Sequence, residues 1–276
     1  MSVAGEAAPS PRRSRVEVLL DGLAVQGSVV KALLLRDLQA RFGRHNIGYL
    51  WVIGEPLMLA SVITLLHTLA THGENSHGIS PFTFILTGYC LFMIFRSATT
   101  RSDGVLHASQ SLFYHRMISP LDIMVGRAIL DFLAAIAALI VLQAVGIVLG
   151  LSEVPARPIY LIGAIALLGW FSFATSLLVA TYSYRSPLVE RLVHPLTYFS
   201  QPLSGAWFSM SFLPASFRGY MGWNPMMSIF EMARYGQFQH AADTWIYGQF
   251  VLAVTACLTF WGLIEIRRVR REIDVP

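Results

Sequence analysis

The side chains that could carry out chemistry are few and far apart in this sequence. The only lysine, Lys31, follows Val30, so the chain lacks the Gly-Lys-Ser/Thr loop with which P-loop proteins bind and hydrolyse nucleotides. His107 and His115 lie eight positions apart and could share a helix face, but no third metal ligand accompanies them. The motifs HExxH, CxxC and GxSxG are absent. The sequence therefore predicts no catalytic residue, no metal site and no cofactor bound by this chain.

Charged residues within apolar segments are the other candidates for function, because an unpaired charge in a membrane is costly. Glu55 precedes Pro56, which can kink a helix, and is expected either to line a polar pathway or to be protonated or paired with an arginine near the membrane surface. Arg127 and Asp131 are four residues apart and are expected to form a structural pair on one helix face. So few acidic residues in apolar segments disfavour a proton-coupled transporter.

The composition indicates that these side chains belong to an integral membrane protein. Of the 276 residues, 55% are hydrophobic and only 13% are charged, whereas a soluble domain carries about 25% charged residues. The net charge of +4 is too small to suggest a nucleic-acid-binding protein. Cys90 and Cys257 both lie in apolar stretches, where cysteine usually acts as a small hydrophobic residue, so no disulfide is expected.

Six apolar segments can each supply the roughly 20 helical residues that cross a bilayer. The predicted spans are 48–71, 80–100, 121–150, 158–182, 190–212 and 244–265. On this topology all basic residues except Arg157, Arg218 and Arg234 lie on one side. The positive-inside rule then places both termini in the cytoplasm. Residues 1–25 are expected to be a disordered cytoplasmic tail without a signal peptide, and residues 26–276 a single six-span domain.

Three further segments are neither regular spans nor plain polar loops. Residues 26–45 repeat an apolar side chain every four positions, which predicts an amphipathic interfacial helix that either only rests on the membrane or also docks a soluble partner. Residues 101–120 contain an apolar Leu-Phe-Tyr triplet, which indicates either a protein or lipid contact or a helix end that returns to the membrane. Residues 213–243 combine aromatic residues with Pro and Gly, which predicts a re-entrant periplasmic segment before the last span.

Three motifs resemble those of type-2 ATP-binding-cassette permeases that export cell-surface polysaccharide. Residues 33–56 (LLLRDLQARFGRHNIGYLWVIGEP) are similar to the region where an arginine-rich interfacial helix leads through Arg-Phe-Gly into a Gly-Tyr-Leu-Trp span ending in Glu-Pro. Residues 108–131 look like the coupling segment before the third span, and residues 223–234 (WNPMMSIFEMAR) look like the Trp-Asn-Pro motif before the last. The resemblance covers about residues 25–270 and is strongest to the capsular-polysaccharide subgroup.

This resemblance implies a function in polysaccharide export from bacteria. It implies an all-α, six-span permease of the inner membrane that forms a homodimer and moves capsular polysaccharide, expected to be lipid-linked. A separate cytoplasmic ATPase dimer would bind ATP and Mg²⁺ and supply the energy, and a periplasmic adaptor and an outer-membrane channel would complete the path. An O-antigen or teichoic-acid permease is the alternative reading, and a small-drug exporter or a membrane-bound enzyme is a more distant one.

The residues and the resemblance together suggest three functional surfaces. The candidates for the ATPase interface are Arg36, Arg41, Leu112, Phe113, Tyr114, Arg116 and Glu190. Aromatic faces can bind sugar rings weakly and repeatedly, so Trp51, Tyr198 and Trp207 are candidates for the substrate pathway. Glu55 is a fourth candidate, because it is expected to line a polar pathway. The candidates for a periplasmic gate are Phe217, Trp223, Asn224 and Pro225.

Overall fold

The computed structural model describes residues 15–42, 57–59, 61–66, 80–113 and 118–273. These residues form helices and connecting turns, and no strand occurs among them. The helices that we label are, in chain order, α1 (Arg15–Phe42), α2 (Pro81–Ser102), α3 (Val105–Ala108), α4 (Gln110–Phe113), α5 (Pro120–Val148), α6 (Pro158–Arg185), α7 (Pro187–Leu203), α8 (Ala215–Met221), α9 (Pro225–Gln237) and α10 (Gly248–Ile273). A 3₁₀ helix covers Met210–Phe212.

Four of these helices, α2, α5, α6 and α10, are long and apolar enough to cross a membrane. They cover the second, third, fourth and sixth predicted spans, each with bounds within eight residues of the prediction. The first predicted span, 48–71, lies largely outside the described residues, of which 57–59 and 61–66 are helical. The large apolar side chains that α5 and α6 expose, such as Leu133, Ile140 and Ile162, suit a lipid environment.

The fifth predicted span differs from the structure at its C-terminal end. Its helix, α7, ends at Leu203, whereas the prediction extended to residue 212. The chain leaves the helix there because Gly205, two residues after Leu203, adopts a left-handed φ of 87°. Hydropathy alone does not register this turn, since the residues that follow are still apolar.

The N-terminal helix is longer than the predicted interfacial helix. Helix α1 begins at Arg15, inside the predicted tail of residues 1–25, and continues without a break to Phe42. Glu17 and Asp21 fall in its first two turns, where negative charge favours a helix N-terminus. Residues 1–14 and 43–45 lie outside the described residues.

Several helices begin at a proline that follows a capping side chain. Ser119 accepts a hydrogen bond from the Asp122 amide while Asp122 accepts one from the Ser119 amide, so α5 starts with a complete capping box. Ser80 likewise accepts from the Thr83 amide at the start of α2. Proline suits the first helical position because the amide hydrogen that it lacks would have no partner there.

Helix α6 lies at the centre of the bundle, and α2, α9 and α10 pack against it. Its buried face carries Ala164, Leu168, Ala174 and Leu177. Small residues on this face let the neighbouring helices approach closely, as is usual for helix packing in membranes.

The long helices alternate in direction, which gives the bundle two chemically different ends. The C-terminal ends of α2, α6 and α10 meet the start of α5 at one end, which we call the basic end. It carries most of the described cations: Lys31, Arg36, Arg101, Arg127, Arg185, Arg191, Arg267, Arg268, Arg270 and Arg271. The opposite end, which holds residues 204–247, is rich in exposed aromatic side chains, and we call it the aromatic end.

Candidate functional site

The basic end brings together the elements that sequence analysis assigned to an ATPase interface. Side chains from five helices share one hydrophobic cluster there, composed of Leu33, Val105, Leu106, Ile123, Met124, Leu177, Ala180, Ile266 and Val269. A Cβ atom placed on Gly126 of α5 would lie 3.7 Å from Leu33 Cβ, so α1 packs directly on α5. The N-terminal helix and the short helices α3 and α4 are therefore anchored to the bundle.

The apolar triplet of the loop is only partly available to a partner. Leu112 and Phe113 are half-buried and pack against the hydrophobic cluster of the basic end. Their apolar character is therefore explained in part by the core of the chain itself. Tyr114 and Arg116 lie outside the described residues.

The loop that carries the triplet also contacts the turn between α6 and α7. The His107 ring stacks on Tyr184 with 4.5 Å between ring centroids. Glu190 is exposed beside this contact, and its Oε1 atom would lie 3.8 Å from a Cβ atom on Gly104. The segment of α3–α4 thus lies beside residues 184–191, and α1 shares its hydrophobic cluster.

Ion pairs tie α1 and α2 to α5 at the basic end. Arg127 Nε lies 3.4 Å from Asp37 Oδ2, and Arg101 Nη1 lies 3.4 Å from Asp131 Oδ1. Arg36 also pairs with Asp37, at 2.9 Å between Nη2 and Oδ1. The predicted pairing of Arg127 with Asp131 along one helix therefore missed that each has a partner on a neighbouring helix. The side chain of Arg41 is not among those described.

A second network, which sequence analysis missed, joins α6 to α10. Arg185 Nη1 donates to Glu265 Oε2 at 2.5 Å, and Arg185 Nη2 donates to Glu272 Oε1 at 2.8 Å. Arg268 donates to the other oxygen of Glu265 at 2.7 Å. The spacing of Glu265 and Arg268 is a sequence signal for a local pair, but the partner 80 positions away could not be read from it.

An acidic site lies next to the α6–α7 turn. Burial raises the pKa of the Asp103 carboxyl, and the neighbouring Glu190 raises it further, whereas His194 and hydrogen bonds from Ser183 and the Gly104 amide lower it. His194 Nε2 lies 3.9 Å from Asp103 Oδ2. The exposed Glu190 can accept a cationic side chain from another protein, which would offset its repulsion of Asp103.

Of the four substrate-pathway candidates, the structure describes two. Tyr198 lies on the exposed side of α7, where its hydroxyl accepts a hydrogen bond from Arg96 Nη2 at 2.5 Å. The Arg96 guanidinium also lies over the Tyr198 ring, 4.3 Å from the centroid. Trp207 follows α7 and is partly exposed. Trp51 and Glu55 lie outside the described residues.

The Asn-Pro part of the candidate gate has a clear structural role. Asn224 Oδ1 accepts from the Met226 amide at 3.0 Å and so caps α9, whose first residue is Pro225. Asn224 Nδ2 donates to the Leu203 carbonyl at 2.8 Å, which ties the start of α9 to the end of α7. Phe217 and Trp223, the two aromatic candidates, are exposed, and Trp223 keeps 78% of its surface accessible.

A buried ion pair that sequence analysis did not assign lies behind this segment. Arg234 Nη1 lies 2.9 Å from Glu231 Oε1, and the two side chains are only 7% and 6% exposed. Glu231 also accepts from the Met210 amide at 2.8 Å and from the Ser209 hydroxyl at 3.2 Å. Arg234 donates to the Gly205 carbonyl as well. The pair borders a cavity of about 320 Å³ and fixes the chain after α7 onto α9.

Arg157 holds the other end of α9. Its guanidinium donates to the carbonyls of Tyr235, Phe238 and Gln239 at 2.9, 3.1 and 3.2 Å. A cation at these positions satisfies carbonyls that lack a helical partner and complements the helix dipole. Both ends of α9 are therefore fixed by side chains from outside the helix.

Comparison with known proteins gives a consistent result over nearly the whole chain. A family profile described as ABC-2 type transporter matches residues 28–238. The capsule polysaccharide export inner-membrane protein BexB of Haemophilus influenzae is 30% identical over 252 residues, or 91% of this chain and 95% of BexB. The capsule polysaccharide export inner-membrane protein CtrC of Neisseria meningitidis serogroup B is 31% identical over 254 residues, or 92% of this chain and 96% of CtrC. The polysialic acid transport protein KpsM of Escherichia coli is 30% identical over 256 residues, or 91% of this chain and 96% of KpsM.

Proposed function

The chain belongs to the ABC-2 type transporter family, and on that premise we propose that it is the transmembrane subunit of an exporter that moves capsular polysaccharide across the bacterial inner membrane. The observation that carries this proposal is the similarity to two capsule polysaccharide export inner-membrane proteins over at least 91% of this chain and 95% of theirs. The family resemblance inferred from the three sequence motifs is confirmed by the same matches.

The energy for export would come from a separate ATPase dimer, with ATP and Mg²⁺ bound by that partner. The sequence offers no phosphate-binding loop of its own, since its only lysine does not follow a glycine. The surface formed by α1, α3–α4 and residues 184–191 is the proposed docking site. Its acidic group of Asp103 and Glu190 suits a basic side chain on the ATPase, while Leu112 and Phe113 provide partly exposed apolar area.

The basic end would face the cytoplasm and the aromatic end the periplasm. The excess of arginine at the basic end supports this orientation by the positive-inside rule. Both termini then lie in the cytoplasm and the chain has six spans, the first over 48–71 and the fifth formed by α7. At 17 residues, α7 is about 26 Å long and so slightly shorter than the bilayer core of about 30 Å.

A second copy of the chain would complete the translocation pathway. Helix α7 leaves a stripe of large apolar side chains uncovered at every third or fourth position: Leu188, Leu192, Leu196, Phe199 and Leu203. This stripe, next to Tyr198 and Arg96, is the proposed face toward the partner copy and the polysaccharide. A periplasmic adaptor and an outer-membrane channel are the proposed partners on the aromatic side.

The proposal is tested by co-expressing the chain with an ATP-binding-cassette ATPase from the same genome. We expect the two proteins to co-purify and the reconstituted complex to hydrolyse ATP faster than the ATPase alone. Deleting the gene should remove polysaccharide from the cell surface and leave it inside the cell. Loss of surface O-antigen with normal capsule would contradict the proposed substrate, and unchanged ATPase turnover would contradict the proposed partnership.

A further inference from the structure

An open groove lies at the aromatic end, between α8 and the start of α10. It has a volume of about 550 Å³, which falls within the range of about 300–1,000 Å³ typical of small-molecule sites. Its walls include the rings of Trp223, Trp245 and Tyr247, and Arg218 is the one charged residue among the described residues that line it. The groove is separate from the docking surface at the basic end and from α7.

The aromatic walls suit the faces of sugar rings. The C–H groups on a pyranose face carry a small positive charge, and the face of an indole or phenol ring carries a negative one. Trp223 presents most of its ring to the outside, held edge-on against Phe250 with 6.1 Å between centroids. The ring is thus positioned by a neighbour while most of its surface stays free to stack on a ligand.

The cation in the groove suits a carboxylate. Arg218 Nε donates to the Leu213 carbonyl at 2.8 Å and Nη2 donates to the Ser211 carbonyl at 3.2 Å, so the side chain is fixed in place. These two bonds use two of the five N–H groups of a guanidinium, and both N–H groups of Nη1 are among the remaining three. A fixed guanidinium with spare donors binds a carboxylate strongly and with defined geometry.

The bottom of the groove is open because two glycines line it. A Cβ atom on Gly219 would meet no other atom within 4 Å, and one on Gly222 would reach ordinary contact distance from Tyr247. Gly219 of α8 and Gly222, which follows the helix, therefore present bare backbone to the groove. A ligand can approach there more closely than it could beside larger residues.

We propose that this groove binds acidic sugar residues of the exported polysaccharide as the chain leaves the membrane. The proposal rests on the exporter function and adds to it a site and a chemical class of substrate: sugars that carry a carboxylate. Weak stacking together with one cation would hold successive sugars briefly without trapping them. Binding at the exit would also disfavour backward movement of the chain.

Anionic lipid headgroups are the rival occupants, because Trp and Tyr often lie at the membrane surface. Belt residues of that kind point outward around the whole protein, whereas here four aromatic residues and one arginine line a single groove. A phosphate diester also lacks the broad C–H face that these rings would cover. The two occupants can be separated by experiment.

The test uses the full-length permease in nanodiscs of zwitterionic phosphatidylcholine. The probe is tetragalacturonate, and maltotetraose is its neutral counterpart of the same length. Binding is followed by saturation-transfer NMR, which detects weak sugar complexes. We expect transfer to tetragalacturonate, with affinity at least about fivefold weaker for maltotetraose and a loss of binding at high salt.

Two variants and two matched controls locate the site. Gly219→Leu fills the groove without a clash, and Trp223→Ala removes an exposed ring, so neither should disturb folding. Each should weaken tetragalacturonate binding by about fivefold or more. Gly248→Leu is equally free of clashes and Tyr220 is equally exposed, but neither residue lines the groove. Gly248→Leu and Tyr220→Ala should therefore bind like the parent protein.

Several results would overturn the proposal. These are equal affinity for the neutral probe, undiminished binding by both groove variants, or the same loss in the control variants. Complete displacement of the probe in nanodiscs that contain phosphatidylglycerol would assign the groove to lipid. Any of these results with normal stimulation of the ATPase would leave the proposed exporter function standing, because that stimulation is measured independently.

Discussion

At the scale of single residues, the buried pair of Glu231 and Arg234 is the strongest constraint on the aromatic end. The two side chains bind each other, Glu231 also accepts a hydrogen bond from the Met210 amide, and Arg234 also donates one to the Gly205 carbonyl. Buried ions of this kind contribute little when intact, but removing one partner leaves an uncompensated charge. The pair therefore fixes where the segment after α7 lies against α9.

Replacing only Arg234 tests how strongly the buried pair stabilises this end of the molecule. We expect Arg234→Met to destabilise the protein by about 3–5 kcal/mol, because Glu231 would stay buried without its counterion. Adding Glu231→Gln should restore most of the loss, since the amide oxygen can still accept from Met210. Thermal unfolding of the detergent-solubilised permease measures both changes. The exposed Arg271→Met is the control and should change stability by no more than about 0.5 kcal/mol; equal losses in the single and double variants would contradict the account.

At the scale of elements, Gly88 lets α2 lie directly against the segment after α7. A Cβ atom on Gly88 would lie 2.0 Å from the Ala206 carbonyl oxygen, a distance that no side chain can occupy. The obstacle is backbone, so it cannot move aside as the end of a flexible side chain would. Gly88 is therefore required by packing.

We expect Gly88→Ala to separate these two segments and lower the melting temperature of the purified protein by several degrees. Gly27→Ala is a matched change in a helix, and its Cβ meets nothing within 4 Å. That variant should be neutral or slightly more stable, because alanine favours a helix more than glycine does. A Gly88 variant as stable as the Gly27 variant would show that the contact is looser than described.

The same helices show which parts of the fold can be predicted from hydropathy. Hydropathy located α2, α5, α6 and α10 because about 20 consecutive apolar residues are a strong signal. It extended α7 too far, because the turn at Gly205 depends on backbone conformation within an apolar stretch. Of the candidate site, the motifs identified Asn224 as important, but its role as a cap needed the structure.

Partners that are distant in sequence account for most of what was missed. Arg185 finds Glu265 80 positions away, and Arg157 finds the end of α9 about 80 positions away. The local sequence around Arg185 and Arg157 does not indicate which residues they bind. The four-residue spacing of Arg127 and Asp131 predicts a pair on one helix, but it gives no indication of Asp37 and Arg101, their partners on neighbouring helices.

At the scale of the whole molecule, the distribution of charge makes the orientation testable. Because Cys257 is exposed, the labelling background carries Cys257→Ala, and the buried Cys90 is kept. A cysteine at Ala242, on the aromatic end, should react with an impermeant thiol reagent in cells whose outer membrane has been permeabilised. A cysteine at Ser111, on the basic end, should react only after the inner membrane is opened. Both positions are exposed, so the reverse pattern would invert the proposed topology.

The bare contact between Gly88 and Ala206 has a mechanical consequence for the molecule. With no side chain between the two backbones, nothing there can repack to let the segments slide or separate gradually. Helix α2 and the segment after α7 would instead rotate relative to each other about this contact. Arg96 lies eight residues, or about 12 Å, further along α2, where it holds Tyr198 of α7. Swinging the basic end of α7 away from α2 would require the Arg96–Tyr198 contact to break, so this contact opposes that motion.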